Sequence, residues 1–266
     1  MNSQAELSAY IRYFCWWNLY RLCAVFCALD EDFFANFSDG EAIMDIGSGP
    51  LTVPIALWLS CPKLRSKKLT VYVMDNSAAA LAAGEELFLS VVSKTLKENA
   101  ESSGGKNIEP WNIVRIKGDF GTEVRKPVAG VFAANMFNEL LQNSQRTPDE
   151  DAKRHLHTIL SYAKENAAIF VAEPAGPRTG RFVSLLRDGL LRKGFTIAAP
   201  CPHTEACPMP GIKNQKYCHF VLDGENAPEK LQKLSDNASL NKDRASISFV
   251  AAYKNAADAA PNAEKP

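Results

Sequence analysis

No run of about 18 consecutive apolar residues occurs in the 266-residue chain, because Arg12 and Arg21 interrupt its most apolar stretch. No membrane-spanning helix is expected. A basic segment followed by an unbroken apolar core is also missing from the N-terminus, so no signal peptide is expected. Charge of one sign is not in excess: Lys+Arg is 30 and Asp+Glu is 30. No global positive field draws the chain to nucleic acid, and any such contact needs a local patch. Cysteine is sparse and odd in number, with seven residues unevenly spread, which argues against a complete disulfide framework and for a reducing compartment. Glycine and proline, 15 of each, are too few for a collagen-like or low-complexity chain. No internal repeat is visible. What is present, 46% hydrophobic and 23% charged residues, builds an ordinary large core. The length suits one α/β domain of about 200–250 residues with additions as easily as two domains.

Residues 5–29 read as an amphipathic helix, with Leu7, Ile11, Phe14, Cys15, Leu22, Val25, Phe26 and Leu29 on one stripe. Cys23 and Cys27 in it are spaced to share a ligand or simply to pack. From Ala42 onward short apolar runs alternate with helical stretches. Ile43–Ile46, Leu69–Met74, Ile113–Ile116, Val131–Ala134 and Ala168–Ala172 are expected as buried strands, with helices at Ser77–Lys97 and Asp149–Glu165 among them. Late strands are expected at Phe195–Ala199, Tyr217–Leu222 and Ile247–Tyr253. This alternation implies βαβ units and a mainly parallel sheet. Asn99–Asn107 reads as a flexible loop, and the Ala/Asn/Pro-rich end after Tyr253 as a disordered tail.

The strongest local signal is Met44-Asp45-Ile46-Gly47-Ser48-Gly49-Pro50, directly after the first strand. Two glycines let the backbone approach a ligand closely and leave amides free at a helix N-terminus, here that of Thr52–Ser60. A dinucleotide fingerprint fits poorly, since Thr52 stands where its third glycine belongs. Asp45 suits a cationic or amine-bearing ligand better than a pyrophosphate. Asp75 closes the second strand, where a carboxylate can accept hydrogen bonds from both ribose hydroxyls. Asp119 and Phe120 close the third, a carboxylate and a ring suited to an adenine amine and face. All of them fall at the carboxyl edge of the sheet, where open α/β sheets bind ligands.

Asp45-x-Gly47-x-Gly49, Asp75 and Gly118-Asp119-Phe120 resemble, in order and spacing, the successive motifs of class I S-adenosylmethionine-dependent methyltransferases. The resemblance runs from about Ile43 to Tyr253 and implies S-adenosylmethionine as cofactor. After the fourth strand, Asn135-Met136-Phe137-Asn138-Glu139 lacks both prolines of the Asn-Pro-Pro-aromatic signature of amine-directed members. Asn135 is retained as a pocket residue, with Asn138 and Glu139 as candidates for local capping. No residue declares itself as a general base. Methyl transfer by proximity and in-line alignment does not demand one.

A second signal is Cys201-Pro202-His203-Thr204-Glu205-Ala206-Cys207-Pro208, continuing to Tyr217-Cys218-His219-Phe220. Three cysteines and two histidines fall within 19 positions, against four cysteines in the other 247. Prolines stiffen the loop, and soft thiolates select zinc or an iron–sulfur cluster, although the spacing is not that of a standard zinc finger. Joined to the glycine turn, this cluster resembles the methyltransferase-like family that assists small-ribosomal-subunit assembly in mitochondria and has bacterial relatives. The resemblance implies a four-iron four-sulfur cluster, with zinc as alternative, and association with small-subunit ribosomal RNA. It assigns Cys201, Cys207 and Cys218 as ligands. The family's fourth cysteine, near the C-terminus, has no counterpart after Cys218. His203, His219 or an N-terminal cysteine would have to complete the set, and His219 is carried as the fourth candidate.

Arg178, Arg181, Arg187, Arg192 and Lys193 are opposed only by Asp188 and could form a phosphate-binding ridge on one helix, extended by Lys213 and Lys216. The expected architecture is an α/β class I methyltransferase fold with a mainly parallel seven-stranded sheet. Residues 1–40 form an N-terminal helical extension, 41–254 the methyltransferase-like domain with a cysteine loop at 200–220, and 255–266 the tail. The function that the resemblance implies is S-adenosylmethionine binding and action on or with small-subunit ribosomal RNA in ribosome assembly or translation. The chain would work as a monomer without a membrane, in a bacterial cytoplasm or a mitochondrial matrix. A non-catalytic assembly factor and a small-molecule methyltransferase with a structural metal loop stand as alternatives.

Overall fold

The computed structural model describes residues 3–102 and 108–254. Helix α1 (Gln4–Tyr10) starts at a capping box in which Ser3 and Glu6 satisfy each other's backbone amides. A π-helical turn, Ile11–Cys15, joins it to α2 (Trp16–Cys27). There follow β1 (Ala42–Ile46), α3 (Thr52–Ser60), β2 (Thr70–Asp75), α4 (Ala78–Ser102), β3 (Asn112–Lys117), β4 (Val128–Ala134), α5 (Phe137–Gln142) and α6 (Pro148–Tyr162). The chain continues through β5 (Ala163–Pro174), α7 (Pro177–Arg192), β6 (Thr196–Ala199), β7 (Phe220–Asp223), α8 (Glu229–Asn237) and β8 (Arg244–Tyr253).

The strands form one sheet in the order β3-β2-β1-β4-β5-β8-β6, with β7 also on β8. The first five positions are parallel and β8 is antiparallel to β5. β6 pairs with residues 251–253 of β8, and β7 with residues 244–247. The two short strands therefore share one strand position, the seventh, which residues 200–219 interrupt. The sheet has eight strands where seven were expected, because Pro200 and Pro202 offer no amide to continue the ladder. This is a Rossmann-like methyltransferase architecture.

Burial on both faces explains the near-continuous apolar runs, such as Val128–Ala133 in β4. On one face, Leu19, Leu22, Val25 and Phe26 of α2 join Ile43, Phe132 and Phe170 of the sheet in a single cluster. The Phe26 and Phe170 rings lie 4.8 Å apart. On the other face, Leu156 and Ile159 of α6 and Phe182 and Leu186 of α7 cover Met44, Val131 and Ile169. The N-terminal helices thus share the core of the sheet.

Three local expectations change. The π turn inserts a residue into the helical repeat, so Cys15 is buried while Phe14, expected on the inner stripe, is 43% exposed. Helix α4 runs past Lys97 to Ser102, into the segment expected as loop. α6 stops at Tyr162, and Ala163–Glu165 belong to β5. The remainder of the expected loop, 103–107, and the tail expected at 255–266 lie outside the described residues. Among the described residues no helix is long and apolar enough to cross a membrane.

All seven cysteines are free. Cys23 and Cys27 point their thiols at the carbonyls of Ala56 and Ser60, at 4.0 and 3.9 Å. They pack α2 onto α3.

Candidate functional site

The parallel strands end on one edge, and there a cavity of about 570 Å³ opens. It is lined by all seven residues singled out for cofactor binding: Asp45, Gly47, Gly49, Asp75, Asp119, Phe120 and Asn135. The chain leaves β1 through Gly47 and Gly49, both with positive φ (65° and 50°), and enters α3 through Leu51, also left-handed at 57°. A Cβ on Gly47 would lie 2.6 Å from the Met136 side chain, which folds over the turn from the loop after β4. Glycine is required there by both conformation and space.

Asp45 is 2% exposed. One of its oxygens accepts the Ser48 hydroxyl, and the other is buried without a partner. Burial pushes its carboxyl up to about 8; the Ser48 hydrogen bond opposes this and neighbouring Asp75 adds to it. Asp75 is tied down by backbone: Gly49 N–H donates to one oxygen at 2.9 Å and Ser77 N–H to the other at 2.8 Å. It therefore also fixes the glycine turn against the end of β2, a role its position in the sequence does not reveal. Each oxygen keeps a second lone pair for a ribose hydroxyl.

Asp119 is exposed at the cavity rim. The Phe120 ring meets Phe137 edge-on at 5.4 Å and His155 at 5.5 Å. His155 is buried among Phe120, Phe137 and Phe182, and burial lowers its pKa. Asn135 adopts φ 57° and donates its amide to Ala172 O at 2.8 Å.

Glu173 and Tyr10 escaped the sequence reading. Glu173, at the end of β5 and 0% exposed, accepts the amides of Met136, Phe137 and Asn138 at 3.0, 2.8 and 2.9 Å. Burial raises its carboxyl to about 7 against the pull of those amides. It shapes the loop after β4, where Asn138 and Glu139 were expected to cap. An acidic residue ending a buried strand was the available signal, the same one that marked Asp75. Tyr10, held by the π turn, lines the cavity mouth, and its hydroxyl accepts a hydrogen bond from Asn18 at 3.0 Å.

The arginines expected as a ridge on α7 are partly engaged elsewhere, although Arg178, Arg192 and Lys193 are exposed. Arg178 donates to the carbonyls of Gln142 and Ser144, and Arg181 to that of Gln215. Arg187 is buried and donates to the carbonyls of Cys201, His203 and Glu205. Arg192 pairs with Asp188. Carbonyl groups of distant loops take most of these donors, so α7 serves as the bed of the cysteine loop. The same bed explains Gly180, where a Cβ would lie 2.5 Å from the Tyr217 ring.

Cys201, Cys207 and Cys218 share that loop's neighbourhood: burial and the nearby thiols of Cys207 and Cys201 push the Cys218 thiol up, opposed by Arg187. Cys207 Sγ is engaged with the backbone of Met209 at 3.4 Å, and His219 is exposed beside the Tyr217 ring. Among the described residues no group of three or more His, Cys, Asp or Glu is placed to hold a metal ion. The expected four-ligand set is thus not assembled, because local backbone contacts orient Cys207 and His219.

The model of a family described as mitochondrial small ribosomal subunit Rsm22 matches residues 18–263, nearly the whole chain. The chain belongs to the Rsm22 family. The match to the Rsm22 family takes in the glycine turn, the cysteine loop and every cavity-lining residue but Tyr10. No curated protein matches the chain. Solved structures with a similar course include a precorrin 8w decarboxylase of Methanobacterium thermoautotrophicum, 13% identical, with 89% of this chain and 90% of that one covered and a TM-score of 0.43. A precorrin-6y C5,15-methyltransferase of Geobacter metallireducens is 11% identical over 84% and 85% of the two chains, with a TM-score of 0.42. A SAM-dependent methyltransferase of Aquifex aeolicus is 17% identical over 65% and 83%, at 0.37. These likenesses are distant, and the architecture rests on the strand order itself.

Proposed function

We propose that this Rsm22-family chain binds S-adenosylmethionine in the strand-end cavity and acts on or with the RNA of the small ribosomal subunit. The observation that carries the reading is the buried, unpartnered oxygen of Asp45 beneath the left-handed Gly47–Gly49 turn. A buried acceptor without a partner is costly unless a donor arrives, and a ligand with an ammonium group supplies one. The cavity volume lies within the range of cofactor sites. When bound, S-adenosylmethionine supplies an electrophilic methyl group on a sulfonium.

The chain's own residues then have distinct tasks. Asp45 and the Gly47 and Gly49 backbone receive the charged amino-acid end. Asp75 takes the ribose hydroxyls, and Asp119 with Phe120 holds the adenine edge and face. Asn135, presented by the loop that Glu173 ties down, would line the cofactor pocket. No general base is assigned; alignment carries the transfer.

Calorimetry with S-adenosylmethionine tests this directly. Asp75→Ala is expected to weaken binding by about 1.5–3 kcal/mol, the size of charge-assisted hydrogen bonds. Unchanged affinity removes the ribose assignment. Transfer of labelled methyl to small-subunit RNA marks the chain as an enzyme, whereas co-sedimentation with the subunit without transfer marks a non-catalytic assembly factor. The family's description, mitochondrial small ribosomal subunit Rsm22, supports a small-subunit partner, and the proposed compartment is the mitochondrial matrix or the cytoplasm of a bacterium.

The cysteine loop forms a second part of the proposal. Its three thiols match the soft-ligand chemistry of zinc or an iron–sulfur cluster, and Cys201, Cys207, Cys218 and His219 would be the donors. Anaerobically purified protein is expected to carry iron with sulfide, or zinc, at about one site per chain. Absence of all three at stoichiometric level overturns this part and leaves the cofactor reading intact.

A further inference from the structure

The cavity is lined by residues from the α5–α6 segment as well as by the strand ends. Asp45, Asp75 and Asp119 sit at or just past the ends of β1, β2 and β3, Glu139 and Asp151 lie on α5 and α6, and Arg146 and Arg154 line the same cavity from the α5–α6 loop and from α6. Both arginines are exposed.

Most acids near them are already engaged, while Glu139 also lines the cavity and is exposed. Asp149 pairs with Lys153 at 2.6 Å. Glu150 accepts from the amide and hydroxyl of Thr147, both at 2.9 Å, and buried Asp151 accepts from Ser144 at 2.8 Å. Among the described residues neither Arg146 nor Arg154 forms an ion pair. The loop carrying Arg146 is anchored by Arg178, which donates to the carbonyls of Gln142 and Ser144. Two free guanidinium groups thus stand on a fixed frame facing a cavity.

The cavity mouth also carries an aromatic step. Tyr10 lines the cavity and its ring stacks at 6.1 Å and 22° on Phe14, which lies next to the cavity lining and is 43% exposed. Lys242 lies over the Phe14 ring at 5.9 Å. Guanidinium groups match phosphates bidentately, and exposed rings accept nucleobases by stacking. A ligand that alternates phosphates with flat bases satisfies both. An acidic peptide would use the arginines and leave the rings idle.

We propose that Arg146 and Arg154 form a phosphate clamp for a single-stranded RNA segment entering the cavity mouth, with Phe14 as its stacking platform. The clamp deepens the proposed function and rests on it only for what the strand delivers. RNA binding itself needs no cofactor.

The test is fluorescence anisotropy with a labelled 12-nucleotide mixed-sequence RNA, titrated at several salt concentrations. Single-stranded binding falls with salt at a slope of about 0.7 per neutralised phosphate. The double variant Arg146→Ala/Arg154→Ala is expected to lose about 1.4 from that slope. This corresponds to about 25-fold weaker binding at 0.1 M salt and about 3-fold at 0.5 M. Phe14→Ala is expected to weaken binding without changing the slope, as stacking neutralises no phosphate.

As a control, Lys63→Ala/Lys233→Ala removes two charges that are paired with Glu31 and Glu229 elsewhere, and should leave the slope unchanged. An unchanged slope in the arginine variant overturns the clamp. So does an equal loss in the control, which would show a diffuse charge effect. Retained binding of an acidic peptide in place of RNA assigns the arginines to a protein partner and also overturns it. Calorimetry with S-adenosylmethionine on the same proteins separates the two readings. Cofactor binding with an unchanged slope sinks the clamp alone, and no cofactor binding by the wild-type chain sinks the cofactor reading alone.

Discussion

Replacing Glu173 by alanine is expected to lower the unfolding free energy by about 3–5 kcal/mol, the cost of breaking a buried charged network by removing one partner. The carboxylate is fully buried and, among the described residues, is the sole partner of three consecutive amides, those of Met136, Phe137 and Asn138. Each buried donor left unsatisfied costs about 1–3 kcal/mol, so the three together account for a loss of this size even if water recovers part of it. Glu173→Gln keeps the volume and one acceptor but turns an NH₂ toward an amide, so an intermediate loss is expected. Urea unfolding measures both. A loss below about 1 kcal/mol in the alanine variant would show that the loop after β4 holds its shape without the clamp. Because Asn135 and Met136 line the cavity, the same variants should also weaken cofactor binding.

The second large effect belongs to Asp45, and its two readouts move in opposite directions with pH. Its carboxyl rises from the ordinary 3.8 to about 8 in the folded chain, chiefly through burial. A carboxyl raised on folding contributes stability that is fully present below pH 3.8 and is lost as pH rises through 8. Asp45→Asn cannot ionise, so its melting temperature relative to wild type should climb from about pH 4 to pH 8 and level off above that. Cofactor binding has the reverse sign. A cationic ligand needs the ionised carboxylate, so wild-type affinity should rise toward pH 8. The Asn variant should be flat with pH and about 10- to 100-fold weaker at alkaline pH, the equivalent of one charged hydrogen bond. A gain in stability without a loss of affinity would leave Asp45 as a strained core residue and remove it from the cofactor site.

The strand-end residues were legible because each reports a local demand. Gly47 and Gly49 stand where the chain turns left-handed within three residues of a buried strand, and Asp75 and Asp119 stand where strands stop. The alternation of apolar runs with helical periods was sufficient for the parallel core. The π turn was not legible, since one inserted residue leaves the spacing of Leu7, Cys15, Leu22 and Val25 compatible with an uninterrupted helix. Nor was the shared strand position of β6 and β7, which depends on where β8 arrives.

The α7 arginines show the same division. Their spacing suits a solvent-facing ridge, yet Arg178, Arg181 and Arg187 are spent on carbonyls of segments 14 to 36 positions away. Arg146 and Arg154, inconspicuous in the sequence, are the pair left open beside the cavity.

Short-range chemistry was thus readable from the chain alone: which backbone must turn, which runs must be buried, and which acidic side chains end strands. The folded structure decided which of the charged groups are satisfied and which remain available. Hydrogen-bond partners far apart in sequence meet only when the sheet order is set, and desolvation at that moment raises the Asp45 and Glu173 carboxyls and engages arginines of α7.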